Sequence, residues 1–179
     1  VLTEWSDRPQ VDDYTYTPDG LPYEYWVELC NMKQADAWVC IPHLANEEYV
    51  REMARFFRDN LDPNLTIYVE YSNEIWNWLF DQTHYCHDNG DQNVPWPERI
   101  VPFIQQALDW WSEEFDGEMD RVVRVVGVQH SWQDVSNRIV MNMEPGSFDA
   151  FAPAAYFGLN DDAIAALEAL GADATGDDV

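Results

Sequence analysis

The sequence predicts an α/β fold in which parallel strands alternate with helices, as four successive strand–helix units. Short apolar runs alternate with longer segments whose apolar residues recur at helical spacing. The short runs are almost continuously apolar, which is typical of strands that are buried on both faces of a parallel sheet. The chain has 179 residues, of which 46% are hydrophobic, and this is enough for one domain with a sizeable core.

Local sequence signals predict the helices and strands of the first half of the chain. Residues 1–22 are rich in Pro, Asp and Tyr, and we expect an irregular N-terminal segment there. A helix is predicted for "LPYEYWVELCNMKQ", and a buried strand for "AWVCIPH", residues 37–43. The run "NEEYVREMARFFRDNL", residues 46–61, predicts an amphipathic helix with Asn46 as its N-cap.

The second half continues the alternation. "LTIYVEYSNE", residues 65–74, predicts a second strand, and a helix is expected from Ile75 to Gly90. The elements expected after it are a helix over 99–115, a strand over 121–132, a short helix over 133–144, a strand over 148–158 and a helix over 161–170. The predicted domain therefore covers residues 23–170, and residues 171–179 form an acidic C-terminal tail.

The net charge of −25, from 34 acidic and 9 basic residues, limits the function classes. Such a field repels nucleic acid and anionic membranes, so neither is an expected partner. No run of about 18 apolar residues is present, and membrane insertion is therefore not expected. Dispersed acids with a single lysine are typical of a halophilic protein, because high salt screens the self-repulsion. An ordinary acidic secreted protein is the alternative.

Polar and aromatic side chains gather at the predicted carboxyl ends of the four strands. These residues are His43 on the first strand, Asn73 and Glu74 on the second, His130 and Trp132 on the third, and Tyr156 on the fourth. Ligands of parallel α/β folds bind outside these strand ends. We therefore expect one binding site around a common opening.

Two carboxylates, Glu70 and Glu74, stand four residues apart in the second predicted strand. Side chains alternate along a strand, so both would lie on one face, with Glu70 ~13 Å further from the mouth. Glu74 could meet a ligand there, and we expect it to be catalytic. A buried Glu70 needs a cationic or hydrogen-bonding partner, and we expect a structural support. The alternatives are a satisfied polar residue for Glu74 and a hydrogen-bonded core histidine for His43.

The run "VEYSNEIWN", residues 69–77, resembles the fourth-strand motif of clan A glycoside hydrolases, which are retaining (β/α)8 barrels. The cellulase-like pattern E-x-x-N-E is complete here as Glu70, Asn73 and Glu74. The resemblance implies that Glu74 is the general acid/base and that Asn73 hydrogen-bonds the sugar 2-hydroxyl. Other strand-end positions that match the family are His43, Tyr156 and, more loosely, His130.

This resemblance implies a partial (β/α)8 barrel, with barrel strands three to six, over about residues 5–158. The implied activity is retaining hydrolysis of a β-linked polysaccharide without a cofactor, in a cleft lined by indoles such as Trp76 and Trp132. The family's nucleophile is a Glu at the end of the seventh strand, and nothing after Tyr156 supplies one. We therefore expect the nucleophile to lie outside this chain. Ile75 stands where many relatives have Pro.

The wider context of residues 20–61 is similar to large secreted proteins built around this barrel, which implies an extracellular or cell-surface location. The chain begins with Val and carries no signal peptide, and we expect a fragment of such a protein. Two alternatives to an enzyme are a non-catalytic carbohydrate-binding domain and a purely structural barrel.

Two histidines in a predicted helix, His84 and His87, suggest a zinc site as a further alternative. No second Cys/His pair follows at a suitable spacing, so we expect a solvated helix surface and no metal. His130 and Ser131 are adjacent without a G-x-S-x-G turn, which argues against a serine hydrolase.

Overall fold

The computed structural model describes residues 2–17, 19–154 and 161–170 of the chain. It shows an α/β fold with a four-stranded parallel sheet, as the alternation in the sequence predicts. The strands lie in chain order and are β1 (Ala37–Ile41), β2 (Ile67–Tyr71), β3 (Val122–Gly127) and β4 (Ala150–Ala152). The helices are α1 (Tyr23–Lys33), α2 (Glu47–Asn60), α3 (Asp81–Asn89), α4 (Val101–Glu114), α5 (Gln133–Asn142) and α6 (Asp161–Leu170). Short 3-10 helices cover Trp5–Asp7, Trp96–Ile100 and Met119–Arg121.

The two faces of the sheet carry different side chains. The parallel register pairs Val39 with Val69 and Cys40 with Glu70, so alternate residues share a face across the strands. The face that we call the helix face joins the hydrophobic core with α2, α4 and α5, through Ala37, Val39, Ile41, Ile67, Val69, Tyr71, Val122 and Val126. The opposite face, which we call the site face, carries Trp38, Cys40, Tyr68, Glu70, Val125 and Gly127. Glu70 and Gly127, which line the cleft described below, belong to the site face.

Helix α2 forms where the sequence predicts it. The Asn46 side chain accepts a hydrogen bond from the Tyr49 amide at 2.8 Å, which caps the helix. Its buried stripe consists of Tyr49, Val50, Met53, Ala54 and Phe57. On its outer side, Arg51 and Arg55 donate hydrogen bonds of 2.7 to 3.0 Å to the carboxylate of Glu114. Because Glu114 ends α4, these ion pairs join the two helices.

The N-terminal segment is irregular apart from one short 3-10 helix, and it packs onto the domain. The Trp5 ring stacks on Tyr23 with a centroid distance of 5.9 Å. Arg8 makes a two-point ion pair with Glu24, at 2.9 and 3.2 Å. The predicted tail at 171–179 lies outside the described residues. Within the described ranges, none of the helices is both long and apolar enough to cross a membrane.

The segment after β2 differs from the prediction. The strand ends at Tyr71 rather than at Glu74, and turns replace the predicted helix up to Phe80. Hydrogen bonds of Asn77 explain this difference. Its side-chain oxygen accepts a hydrogen bond from the Leu79 amide at 3.0 Å, and its backbone carbonyl accepts one from the Thr83 hydroxyl at 2.7 Å. Such local bonds compete with helical ones. The fourth strand is also shorter than predicted, and residues 155–158 lie outside the described part of the chain.

Candidate functional site: a carboxylate cleft

The chain reverses its direction immediately after β2. The Ser72 amide donates to the Ile41 carbonyl at 2.8 Å, which extends the pairing of β1 with β2 by one bond. Ser72 and Glu74 then adopt left-handed backbone conformations, with φ of 57° and 44°. Such conformations cost on the order of 1–3 kcal/mol each in residues with a side chain, and they concentrate at functional sites. Because of this turn, Glu74 does not continue along the strand axis.

As a result, both carboxylates line one cleft at the carboxyl end of the sheet. The cleft has a volume of about 220 Å³. Its lining residues are Trp38, Glu70, Asn73, Glu74, Trp76, Gly127, Ala152 and Ala154, and we call it the carboxylate cleft. The predicted separation of ~13 Å assumed a continuous strand. This assumption does not hold, because the strand ends at Tyr71.

Glu70 is held tightly at the floor of the cleft. Its side chain is only 7% exposed, and its Oε2 accepts a hydrogen bond from Trp38 Nε1 at 3.2 Å. A Cβ atom on Gly127 would lie 2.5 Å from Glu70 Oε1, so a larger residue at this position would require the carboxyl group to shift. Burial raises the pKa of Glu70 to about 7, with a further increase from the charge of Glu74, against the opposing effect of the Trp38 hydrogen bond. Glu70 therefore carries a proton for part of the time at neutral pH.

Glu74 lies closer to solvent than Glu70. It is half-buried, and its Oε2 accepts a hydrogen bond of 2.7 Å from the Asn77 side-chain amide. The neighbouring Asn73 is exposed, and its backbone carbonyl accepts from Gln82 at 2.6 Å. The cleft thus combines an oriented, accessible carboxylate with a buried carboxyl group that holds a proton near neutral pH. This combination can donate or accept a proton at a bound ligand.

Two indoles flank the carboxyl groups. Trp76, predicted as a substrate contact, is among the residues that line the cleft, and it is only 5% exposed. Trp38 is 43% exposed and stacks on Tyr68, with a ring-centroid distance of 5.5 Å and an angle of 3° between the planes. The sequence reasoning missed Trp38. Strand alternation would have placed it on the same face as Cys40, whose register partner is Glu70.

His43 does not belong to the carboxylate cleft. It lines a separate pocket with Tyr71 and Tyr85, and its ring lies 5.5 Å from the Tyr85 ring. Burial lowers the pKa of His43, and the charge of Asp81 partly opposes this effect. The prediction that His43 shares the opening with Glu74 is not supported by this arrangement. The strand β1 ends at Ile41, and His43 lies in the turn that follows it, on the side of the sheet that carries Tyr71.

The residues predicted for the end of the third strand do not line the cleft. His130 and Trp132 are exposed in the turn between β3 and α5, with Trp132 at 45% exposure, and neither is among the residues that line the cleft. Gly127 is the residue of this strand that reaches the carboxyl groups. Tyr156, the candidate of the fourth strand end, lies outside the described residues.

The two histidines of α3 make contacts with their neighbours. A ring nitrogen of His84 is 3.0 Å from the Trp78 carbonyl, and one of His87 is 2.7 Å from the Asp88 carboxylate. Among the described residues, no group of three or more His, Cys, Asp or Glu side chains is arranged to hold a metal ion.

Comparison of the chain with protein-family models, with curated proteins and with solved structures gives no match. The likeness of residues 69–77 to the clan A motif therefore stands on those residues alone. The functional candidates rest on the geometry of the carboxylate cleft.

Proposed function

We propose that the chain is part of a (β/α)8 barrel of a retaining glycoside hydrolase that acts on a β-linked polysaccharide. In this proposal Glu74 is the general acid/base and the nucleophile lies outside this chain. The observation that carries the proposal is the shared cleft of Glu70 and Glu74, between the indoles of Trp38 and Trp76 at the carboxyl ends of the strands. This is the location at which barrel enzymes bind their substrates.

The winding of the sheet supports a barrel. The strands lie side by side in the order in which they occur in the chain. Connections between parallel strands are right-handed, so in a sheet of this order the connecting helices all lie on the same face. The core residues of β1, β2 and β3 that pack with α2, α4 and α5 all lie on the helix face. A doubly wound sheet would instead reverse its strand order and cover both faces. In the proposed barrel, the site face is the barrel interior.

The chemistry assigns distinct roles to the two carboxyl groups. Glu74 would protonate the glycosidic oxygen as the bond to the sugar C1 breaks, while the nucleophilic carboxylate bonds to C1. The ionised Glu74 would then take a proton from the water that releases the sugar. Glu70 is a positioning residue in this scheme. Because Glu70 is protonated for part of the time near neutral pH, it then places no second negative charge beside Glu74 in the cleft.

The other lining residues suit a carbohydrate. The indole of Trp38 offers a flat apolar surface for the C–H face of a sugar ring, and the exposed Asn73 amide offers both a donor and an acceptor for hydroxyl groups. A binding domain without hydrolysis is the second candidate, and the 43% exposure of Trp38 favours it, since stacking needs no catalytic group.

The proposal is tested in the protein that carries this chain together with its flanking residues. Glu74→Gln should lower kcat/KM on soluble β-glucan or β-mannan by about 10²- to 10⁴-fold, the usual contribution of a general acid/base. Glu48→Gln, an exposed residue of α2, is the matched control and should leave the rate unchanged. Hydrolysis that survives Glu74→Gln would refute the role of Glu74. Saturable oligosaccharide binding without any release of reducing ends would favour the binding domain.

A further inference from the structure

A second pocket lies on the helix face, away from the carboxylate cleft. It has a volume of about 320 Å³ and is formed between the loop after β1, the end of β2 and helices α2, α3 and α4. Aromatic and polar side chains dominate its wall, namely His43, Tyr71, Tyr85, Phe103, Gln106 and Trp110, and we call it the aromatic pocket. It shares no lining residue with the carboxylate cleft.

Four rings of the aromatic pocket pack against one another. Tyr71 and Phe103 are nearly parallel, with an angle of 13° and a centroid distance of 6.4 Å. Tyr85 meets Phe103 at 5.6 Å and 62°, and His43 meets Tyr85 at 5.5 Å and 62°. Both edge-to-face and parallel contacts are favourable for aromatic pairs. These contacts support the rings in their positions around the pocket, which favours a preorganised binding wall.

Among the described residues, the wall of the pocket carries no carboxylate, ammonium or guanidinium group. Charged residues make up 24% of the chain, yet of the described residues that line the pocket none is Asp, Glu, Lys or Arg. A charged ligand would lose its hydration without gaining a partner. Burial lowers the pKa of His43, which keeps its imidazole neutral near pH 7 and able to offer one donor and one acceptor.

The polar capacity of the pocket is too small for a sugar. The Tyr71 hydroxyl already donates to the His43 carbonyl at 2.9 Å. The polar side-chain groups that remain in the wall are those of His43, Gln106, the Tyr85 hydroxyl and the Trp110 indole N–H, whereas each hydroxyl of a buried sugar would need its own partner. An aromatic ring with a single polar atom matches this wall. An engineered cavity of about 150 Å³ in another protein binds benzene, so one or two rings are within the available volume.

We propose that the aromatic pocket is a binding site for an uncharged one- or two-ring aromatic molecule that carries one polar group. The site is independent of the carboxylate cleft and of the proposed hydrolase. It places a small-molecule ligand against the end of β2, on the opposite face of the strand from Glu70.

Indole is the probe for the test, titrated into the chain while the ring signals of Tyr85 and Phe103 are followed by NMR. We expect saturable shifts of these signals and at least tenfold weaker binding of indole-3-acetate, which has the same rings and a carboxylate. Ala45→Leu fills the pocket and should weaken indole binding at least tenfold, whereas Ala35→Leu, the same change at an exposed position, should leave it within twofold.

If Ala45→Leu does not fold, Gln106→Phe blocks the exposed rim on α4 and should produce the same loss. Glu74→Gln should leave indole binding unchanged, which separates this site from the proposed active site. Three results would each overturn the proposal: shifts that do not saturate, equal binding of indole and indole-3-acetate, or unchanged binding in the pocket-filling variants.

Discussion

Replacing Glu70 by Gln should change how the stability of the chain depends on pH. Gln keeps the shape of the side chain and a carbonyl oxygen for the Trp38 indole, but it cannot ionise. In the folded chain burial raises the pKa of Glu70 from 4.5 to about 7, so the folded state binds more protons than the unfolded state between these two values. The free energy of unfolding of the wild type therefore falls as the pH rises through this window.

The size of this change in stability follows from the pKa shift of Glu70. Each pKa unit corresponds to about 1.4 kcal/mol, so the ionisation of Glu70 removes roughly 3 kcal/mol of stability once the pH exceeds its folded pKa. Glu70→Gln removes this dependence. We expect the variant to gain roughly 3 kcal/mol relative to wild type between about pH 4 and pH 8.

Urea unfolding at a series of pH values, followed by tryptophan fluorescence, measures this difference. Glu48→Gln, at an exposed position of α2, is the matched control and should show no comparable trend. A constant stability difference between Glu70→Gln and wild type across the range would refute the assignment of a buried, proton-holding carboxyl group to Glu70.

Three further predictions concern the packing and charge of the domain. Gly127→Ala pushes a methyl group against Glu70 Oε1 and should cost about 1–3 kcal/mol of unfolding free energy in urea titrations, which an unchanged midpoint would contradict. Glu114→Gln weakens the ion pairs with Arg51 and Arg55 and should lower the free energy of unfolding by about 1–2 kcal/mol at low salt. The loss should be smaller in molar NaCl, because salt screens the charges, and equal losses at both salt concentrations would contradict an electrostatic link. Because the net charge is −25, raising NaCl from about 0.1 M to 2 M should raise Tm in a thermal scan, and a fall in Tm would contradict dominant self-repulsion.

The sheet was predictable because its strands are short apolar runs between clear helical segments. Asn46 was correctly identified as a cap, because the pattern of Asn followed by two Glu and an apolar stripe is a local signal. The parallel pairing of the strands followed from their alternation with helices. These features depend on residues close together in the sequence.

The cleft was only partly predictable. Alternation along the predicted strand over 37–43 already places Trp38 and Cys40 on one face and His43 on the other, so a stricter use of strand parity would have separated His43 from Trp38. The reversal after Tyr71 could not be read from the pattern. Ser and Glu do not favour the left-handed backbone conformation that Ser72 and Glu74 adopt. The turn is held by a hydrogen bond from the Ser72 amide to the Ile41 carbonyl, which is distant in the sequence.

The most direct test of the central claim, that Glu74 is the acid/base of a retaining glycosidase, is chemical rescue of the Glu74→Gln variant in the protein with its flanking residues. Azide is a nucleophile that needs no general base, so it can release the sugar from a covalent intermediate when the carboxylate is absent. With an aryl β-glycoside as substrate, the account predicts that azide restores turnover and that the product is the β-glycosyl azide. A variant that azide does not rescue, or that turns over as fast as wild type without it, would contradict the claim.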